Sequence, residues 1–418
     1  MVGYGEMTEV MLWVQTTGPC TIQYRYVPAS DTKASRLTAV QRAVADSDYI
    51  VHTLMTGLPE GTQFTYELLI DGTQVSRPYP LRFQTQPLWQ WRKDPPAFSV
   101  AFGSCAYIND PPADRPGTPY GSNYEIFTAL AGTHPDVMLW LGDNTYYREI
   151  DWNAVSGMRA RYAHTRALPE LQPLLGATHN YAIWDDHDYG QNDADRTYFL
   201  KDASLDVFRL FWANHTYGTP GLDGVFGRMT WGDAEFFLLD DRYYRSPNDA
   251  PDDAEKTMFG KAQLRWLIES LASSNATFRI VVGGNQILNP MHPYEALSAF
   301  TTEYNDLIRS VKGWKIPGLV FLSGDRHMSE LIRLEDPAFY PLYDYTSSSL
   351  TAGLSRPRSD SVNVARVPGT LVDDAHTFGL LKFSGPRKDR VLTMECYDHT
   401  GKLRWTHVVR ASDLRPPK

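Results

Sequence analysis

The sequence predicts an α/β core preceded by a β-sandwich, and three observations predict it. Up to about residue 84, short runs alternate apolar and polar side chains between turn signals, with no helical period. From residue 97, apolar runs alternate with amphipathic segments, the pattern of a sheet flanked by helices. Four of those runs end in polar, metal-compatible side chains. Open α/β sheets place their ligands at the carboxyl ends of strands.

In chain order, the first strand is Val10-Met-Leu-Trp-Val-Gln-Thr16. The residues before it lack a basic stretch followed by an apolar one, so no signal peptide is legible. Such a start fits a protein trimmed after its signal and a cytosolic protein alike. Alternation continues in Thr21-Ile-Gln-Tyr-Arg-Tyr-Val27 and Phe64-Thr-Tyr-Glu-Leu-Leu-Ile70, with turns at Pro59-Glu-Gly-Thr62 and Asp71-Gly72. Leu58-Pro-Glu-Gly-Thr-Gln-Phe-Thr-Tyr66 resembles the corner of fibronectin type III-like modules, with Tyr66 as the corner tyrosine. Residues 1–84 are therefore expected to form a sandwich domain that supports or shields, since they carry no titratable cluster. Residues 85–97 form the linker; its prolines cannot join a central strand, and Trp89 and Trp91 are expected to pack it down.

Residues 98–418 hold the second domain. Helices are expected over 123–133, 152–165, 198–214, 260–274 and 299–313. Buried strands lie between them, including Val137-Met-Leu-Trp-Leu141 and Phe278-Arg-Ile-Val-Val282. After Ile332 the helices stop. Residues 376–383, 390–397 and 403–409 read as antiparallel strands that complete a sheet.

A chain of 418 residues favours two domains, and 42% hydrophobic with 21% charged residues marks a soluble globular protein. A net charge of -9 argues against sequence-independent nucleic-acid binding, which needs a basic face. No run of 18 apolar residues exists to span a membrane. Three cysteines form neither a CxxC pair nor a disulfide framework, and Cys20 and Cys396 read as buried apolar residues.

The chemistry sits at the strand ends. Phe98-Ser-Val-Ala-Phe-Gly103 runs into Ser104-Cys105, and Val137 to Leu141 runs through Gly142 into Asp143, with Tyr146 three residues on. His179-Asn-Tyr-Ala-Ile-Trp184 runs into Asp185-Asp186-His187-Asp188, and Gly318-Leu-Val-Phe-Leu-Ser323 into Gly324-Asp325-Arg326-His327. Thiolate, phenolate, carboxylate and imidazole together suit a highly charged ion such as ferric iron, which holds Tyr and Cys deprotonated. Zinc tolerates Cys and His but seldom recruits Tyr. Crowded carboxylates repel one another unless a cation neutralises them, and oxygen donors favour Ca²⁺, Mg²⁺ or Mn²⁺. His187 is placed over the metals, to protonate a leaving alkoxide or hold a phosphate oxygen. Asn285 is either an oxygen ligand or a turn residue. Arg242 either grips a phosphate or pairs internally with Asp241. Together these residues read as a two-metal site, in which cations bridged by one carboxylate bind a hydroxide for attack on phosphorus.

Phe102-Gly-Ser-Cys105, Gly142-Asp-Asn-Thr-Tyr146, Trp184-Asp-Asp-His-Asp188, Gly284-Asn-Gln286 and Ser323-Gly-Asp-Arg-His327, in that order, resemble the alkaline phosphatase D (PhoD-like) family of calcineurin-like metallophosphatases. The resemblance covers essentially the whole chain. It implies a four-layer αββα metallophosphatase domain hydrolysing phosphomonoesters, phosphodiesters or both. It implies Fe³⁺ held by Cys105, Asp143, Tyr146 and His327, and Ca²⁺ near Asp143, Asp186 and Asp325, with Asn285 less secure. Zn²⁺, Mn²⁺ or Mg²⁺ can stand in place of either. Asp185 and Asp186 can exchange roles, and Asp186, which directly precedes His187, is favoured. Members are typically exported, often by a twin-arginine route, so the periplasm or the extracellular space is expected, although no twin-arginine signal is present.

The expectation is thus a monomeric metal-dependent phosphoric ester hydrolase acting on a phosphate ester, with His187 assisting the leaving group and Arg326 or Arg242 steadying the phosphoryl oxygens. Two alternatives stand beside it. One is a phospholipase D-like phosphodiesterase; the other is a cell-surface polymer-binding protein with a structural metal site. Asp188 and Gln191-Asn-Asp193 have no assigned role. The loops 107–120, 242–257 and 350–374 are candidates for specificity, and the last, long and poor in apolar residues, is expected to be either a lid or disordered.

Overall fold

A computed structural model describes residues 1–291, 295–356 and 362–417. Two sheets make up the larger part. In the first, Phe98–Gly103, Val137–Leu141 and His179–Ile183 run parallel at the centre, and Thr377–Ser384, Val391–Asp398 and Leu403–Arg410 extend one side antiparallel. The second contains Gly227–Trp231, Ala234–Leu238, Phe278–Val282, Leu319–Ser323, Leu342–Ser347 and Ser329–Leu334, in that order. The central strands are buried on both faces, as parallel strands under helices must be. The sheets face each other: Phe102 meets Tyr345 edge-on with ring centres 4.7 Å apart, and Phe383 packs on Phe236 and Phe278.

The helices Glu125–Gly132, Val155–Arg166 and Gln172–Ala177 belong to connections of the first sheet, Lys201–Phe211 to the crossover between the sheets, and Lys261–Ser273 and Thr301–Gly313 to connections of the second. Five match the expected segments to within three residues at either end. Gln172–Ala177 was not anticipated; its six residues are too few to show a period. The segment after Trp184 is a short helix, Asp186–Tyr189. Asp188 reaches back to accept the Asp185 N–H at 2.7 Å, which fixes its first turn.

The expected boundary at residue 84 does not divide the sheets. Val2–Gly5 pairs parallel with His179–Ile183, and Glu9–Gln15 and Ile50–Thr56 follow it, so three strands from the first 84 residues continue the first sheet to nine strands. The other early strands form a third sheet around Cys20–Pro28 and Gln63–Ile70. A separate apolar core that includes Val10, Leu12, Ile22, Val51 and Phe64 fills the space between. His179 pins the junction. Its Nδ1 donates to the Gly3 carbonyl at 2.9 Å, and its Nε2 accepts the Gln84 N–H at 3.3 Å. The second bond needs the neutral ring, and burial lowers its pKa to about 4. Tyr66 also acts across the junction, its hydroxyl donating to the Gly176 carbonyl at 3.0 Å.

The linker is held by Gln86, whose amide bridges Gly5, Thr230 and Gly232. Trp89 carries the Arg387 guanidinium over its ring, but Trp91 is 93% exposed and packs nothing down. Among the described residues, no helix is long and apolar enough to cross a membrane, and all three cysteines are free.

Candidate metal centre

Parallel register brings the loops together. Gly103 lies beside Trp140, and Leu141 beside Ile183, so the loops carrying Cys105, Asp143 and Asp186 leave one sheet side by side. Leu238, Val282 and Leu322 align in the facing sheet and deliver residues 240–245, Asn285 and 325–327 to the same place. The backbone stitches the loops to each other. The Cys105 and Ala106 N–H groups donate to the Gly142 and Asp143 carbonyls, and the Gly324 N–H to the Gly284 carbonyl at 2.8 Å. Gly142 is required: its φ is 91°, and a Cβ there would stand 2.6 Å from the Cβ of Asp185.

Two groups of donors share Asp143. Cys105, Asp143 and His327 place donor atoms within 4.8 Å of one another, as do Asp143, Asp186 and His187. The Cys105 Sγ lies 3.6 Å from Asp143 Oδ2, while Asp143 Oδ1 accepts the His187 backbone N–H at 3.1 Å. Tyr146 joins the first group, its hydroxyl 3.3 Å from His327 Nε2. The His327 Nδ1 donates to the Gly353 carbonyl, which fixes the tautomer and leaves Nε2 as the acceptor facing Tyr146. Asp186, and not Asp185, faces this centre. Residues 350–355 lie against it through the Cys105 and His327 carbonyls, so part of the expected lid loop sits at the site; 357–361 fall outside the described residues.

Asp185 and Asn285 turn away, into a buried network. Asp185 accepts the Arg242 Nε at 2.6 Å and the Asn285 Nδ2 at 2.8 Å. The Asn285 Oδ1 faces Arg242 and Arg245 at 3.4 and 3.2 Å, so its oxygen is occupied by two guanidinium groups and not turned to the metal-ligand cluster. Arg242 is fully buried and paired with Asp185 and Glu295, where the sequence offered Asp241 or a phosphate. No face of it is left for substrate. Arg326 donates to Gln286 at 3.0 Å from beside the centre.

The electrostatics match a cation site. Burial, then Asp186 and Cys105, push the Asp143 carboxyl well above its usual range. Burial, with Glu295 adding to it, moves Asp325 to about 7. Burial raises the Cys105 thiol to about 11 and lowers both His187 and His327. Closely packed buried acids with a thiol, a phenol and an imidazole are a donor set that positive charge would relax, and this fits a metal pair.

Two residues escaped the sequence reading. Asp188 accepts the N–H groups of Asp143, Asn144 and Asp185 at 3.2, 3.1 and 2.7 Å, and the Asn144 amide besides. It is the anchor that ties the two acidic loops. Arg148 is buried, its guanidinium 5.3 Å from the ring centre of Tyr107, with an Nε that has no hydrogen-bond partner among the described residues. Its charge reaches His187 and Tyr120. The available signal for it was position, two residues beyond Tyr146 in the same turn.

Comparison with known proteins gives a consistent pattern. The PhoD-like phosphatase family matches residues 100–385, and a domain of unknown function matches residues 1–88. Alkaline phosphatase D of Bacillus subtilis (strain 168) is 22% identical over 320 residues, covering 62% of this chain and 52% of that protein. The chain thus spans about half the length of this curated relative. A solved structure of PhoD superposes with a TM-score of 0.78 at 17% identity, over 98% of this chain and 90% of that one. A purple acid phosphatase from yellow lupin (Lupinus luteus) seeds gives 0.70 at 11%, over 98% and 73%. At such identities the two structures show a shared mixed α/β fold.

Proposed function

Because the chain belongs to the PhoD-like phosphatase family, we propose that it hydrolyses phosphate esters at the centre built around Asp143. The observation that carries this is one carboxylate, Asp143, with Cys105 and His327 on one side and Asp186 on the other, as a two-cation site requires. Cys105, Asp143, Tyr146 and His327 would hold Fe³⁺; Asp143, Asp186 and Asp325 would hold Ca²⁺. Bound there, the pair supplies the positive charge that activates water and neutralises phosphoryl oxygens.

The chain's own groups do the rest. His187 stacks on Tyr146 with ring centres 4.3 Å apart, and its buried Nδ1 has no hydrogen-bond partner among the described residues. We assign the imidazole to the leaving oxygen, where it holds and delivers a proton. Arg148 takes the role the sequence gave to Arg242, gripping a phosphoryl oxygen, while Arg326 flanks Asp325. Arg242 and Asn285 position Asp185, and through it the short helix that carries Asp186 and His187. The same reading places the protein in the periplasm or outside the cell.

Metal analysis of the purified protein with its visible spectrum, followed by a panel of mono- and diesters, tests this. Iron, calcium and a charge-transfer colour that fades in Tyr146→Phe support the proposed pair. Zinc or manganese without colour removes Tyr146 from the ligands and leaves a two-metal hydrolase. Protein that binds no metal, and turns over no ester when metals are added, overturns the proposal in favour of a binding protein.

A further inference from the structure

A large cleft lies away from the metal centre. A cleft of about 1490 Å³ opens between the N-terminal strands and the helix Val155–Arg166, and none of the proposed metal ligands lines it. Three arginines do: Arg77, Arg159 and Arg166. None has a carboxylate at ion-pairing distance among the described residues. Arg166 is 6% exposed, which makes it unusual, because buried guanidinium groups are normally paired. It stacks 3.8 Å over the ring of Trp212 and donates to the Phe211 carbonyl, and its Nε has no partner. The Arg159 Nε is likewise buried and unpartnered. Of the acids on the cleft, Asp48 is engaged by the Gln15 amide at 2.7 Å, and Glu170 points into solvent at the rim. Tyr49 and Tyr79 add half-buried rings to the wall.

We propose that this cleft binds an organic oxyanion carried on a ring, its phosphoryl or carboxylate oxygens held by Arg77, Arg159 and Arg166 and its ring stacked among the tyrosines. Guanidinium forks bind planar or tetrahedral oxyanions through paired hydrogen bonds. Aromatic walls prefer flat partners, offset or edge-on. A cleft of this size takes a small molecule, and its walls come from both the N-terminal strands and the helices that follow. The site therefore reads a ligand without contacting the reacting ester.

Calorimetric titration of the metal-loaded protein with phenylphosphonate, whose carbon–phosphorus bond resists hydrolysis, tests it. Benzoate in a parallel titration separates carboxylate from phosphoryl preference, and inorganic phosphate measures what the ring adds. The expected result is a binding event weakened at least tenfold in Arg77→Ala/Arg159→Ala and retained in His187→Asn. The double variant should keep its melting temperature and its kcat/KM for 4-nitrophenyl phosphate within about twofold, because both side chains lie outside the metal centre. Absence of any such event in the wild type, or binding indifferent to the double substitution, overturns the proposal. A parallel loss of turnover in the double variant overturns its separation from the catalytic centre.

Discussion

Four of the proposed ligands, Cys105, Asp143, Asp325 and His327, have φ between 52° and 65°, in the left-handed region that side chains with a Cβ seldom occupy. Such residues cost about 1–3 kcal/mol each and persist where the surrounding structure over-determines them. The strain and the crowded charge make one prediction together. Asp143→Gly should raise the unfolding midpoint of the metal-stripped protein, since it relaxes both the backbone and the repulsion with Asp186. The same variant should lose the stabilisation that added metal gives the wild type. Thermal melts with and without chelator measure both, and a metal-stripped variant less stable than wild type contradicts the strain argument. His187→Asn should lower kcat by about 10²–10⁴-fold with metal content unchanged, the range of a lost general acid; single-turnover assays beside metal analysis decide it. The proposed ligands could be picked out because each follows an apolar run, where position alone predicts convergence. Asn285 was less so: its oxygen is claimed by Arg242 and Arg245, forty residues away in sequence, and no local pattern shows that. Asp188 was illegible for a related reason, since its partners are backbone N–H groups that every residue has.

Loops are only as well placed as the elements that launch them. Gly142 ends Val137–Leu141 with a turn whose backbone passes in contact with Asp185. Gly142→Ala should destabilise the fold by about 1–2 kcal/mol from the left-handed backbone alone, and more from the clash with Asp185. It should cut metal affinity while leaving the ligand residues in the sequence; denaturant midpoints and metal titration report the two effects separately. The turn between the acidic loops has its own anchor. Asp188→Ala strips a buried acceptor from four donors, and at about 1–3 kcal/mol for each unsatisfied buried group the variant should lose several kcal/mol. Helices longer than two turns and the five-residue buried strands were legible because a period needs repeats to show itself. The helices Gln172–Ala177 and Asp186–Tyr189 are six and four residues long, and neither completes two turns.

At the scale of the whole molecule, the sequence distinguished two composition regimes and could not show that one sheet crosses between them, because pairing partners are not written in either strand. His179 makes that junction sensitive to acid. Its folded pKa of about 4 lies below the ordinary value of 6.5, so the unfolded chain takes up the proton first. Stability present above pH 6.5 is then lost as the pH falls towards 4, by up to about 3 kcal/mol for this one ring. Urea unfolding of wild type and His179→Gln at pH 7 and pH 4.5 isolates the contribution; an identical pH dependence in both proteins removes it. The parallel pairing of Val2 with His179 has a further consequence for anyone who would cut the protein in two. Excising the first 84 residues leaves His179–Ile183 as a raw margin, five buried residues with a row of unmet hydrogen-bonding groups. Bare margins of that kind recruit whatever strand comes near, another copy included. The trimmed remainder should clump where the intact chain stays dispersed, and the intact chain should melt in one transition, its early strands serving as the selvedge of the sheet that launches Cys105, Asp143 and Asp186.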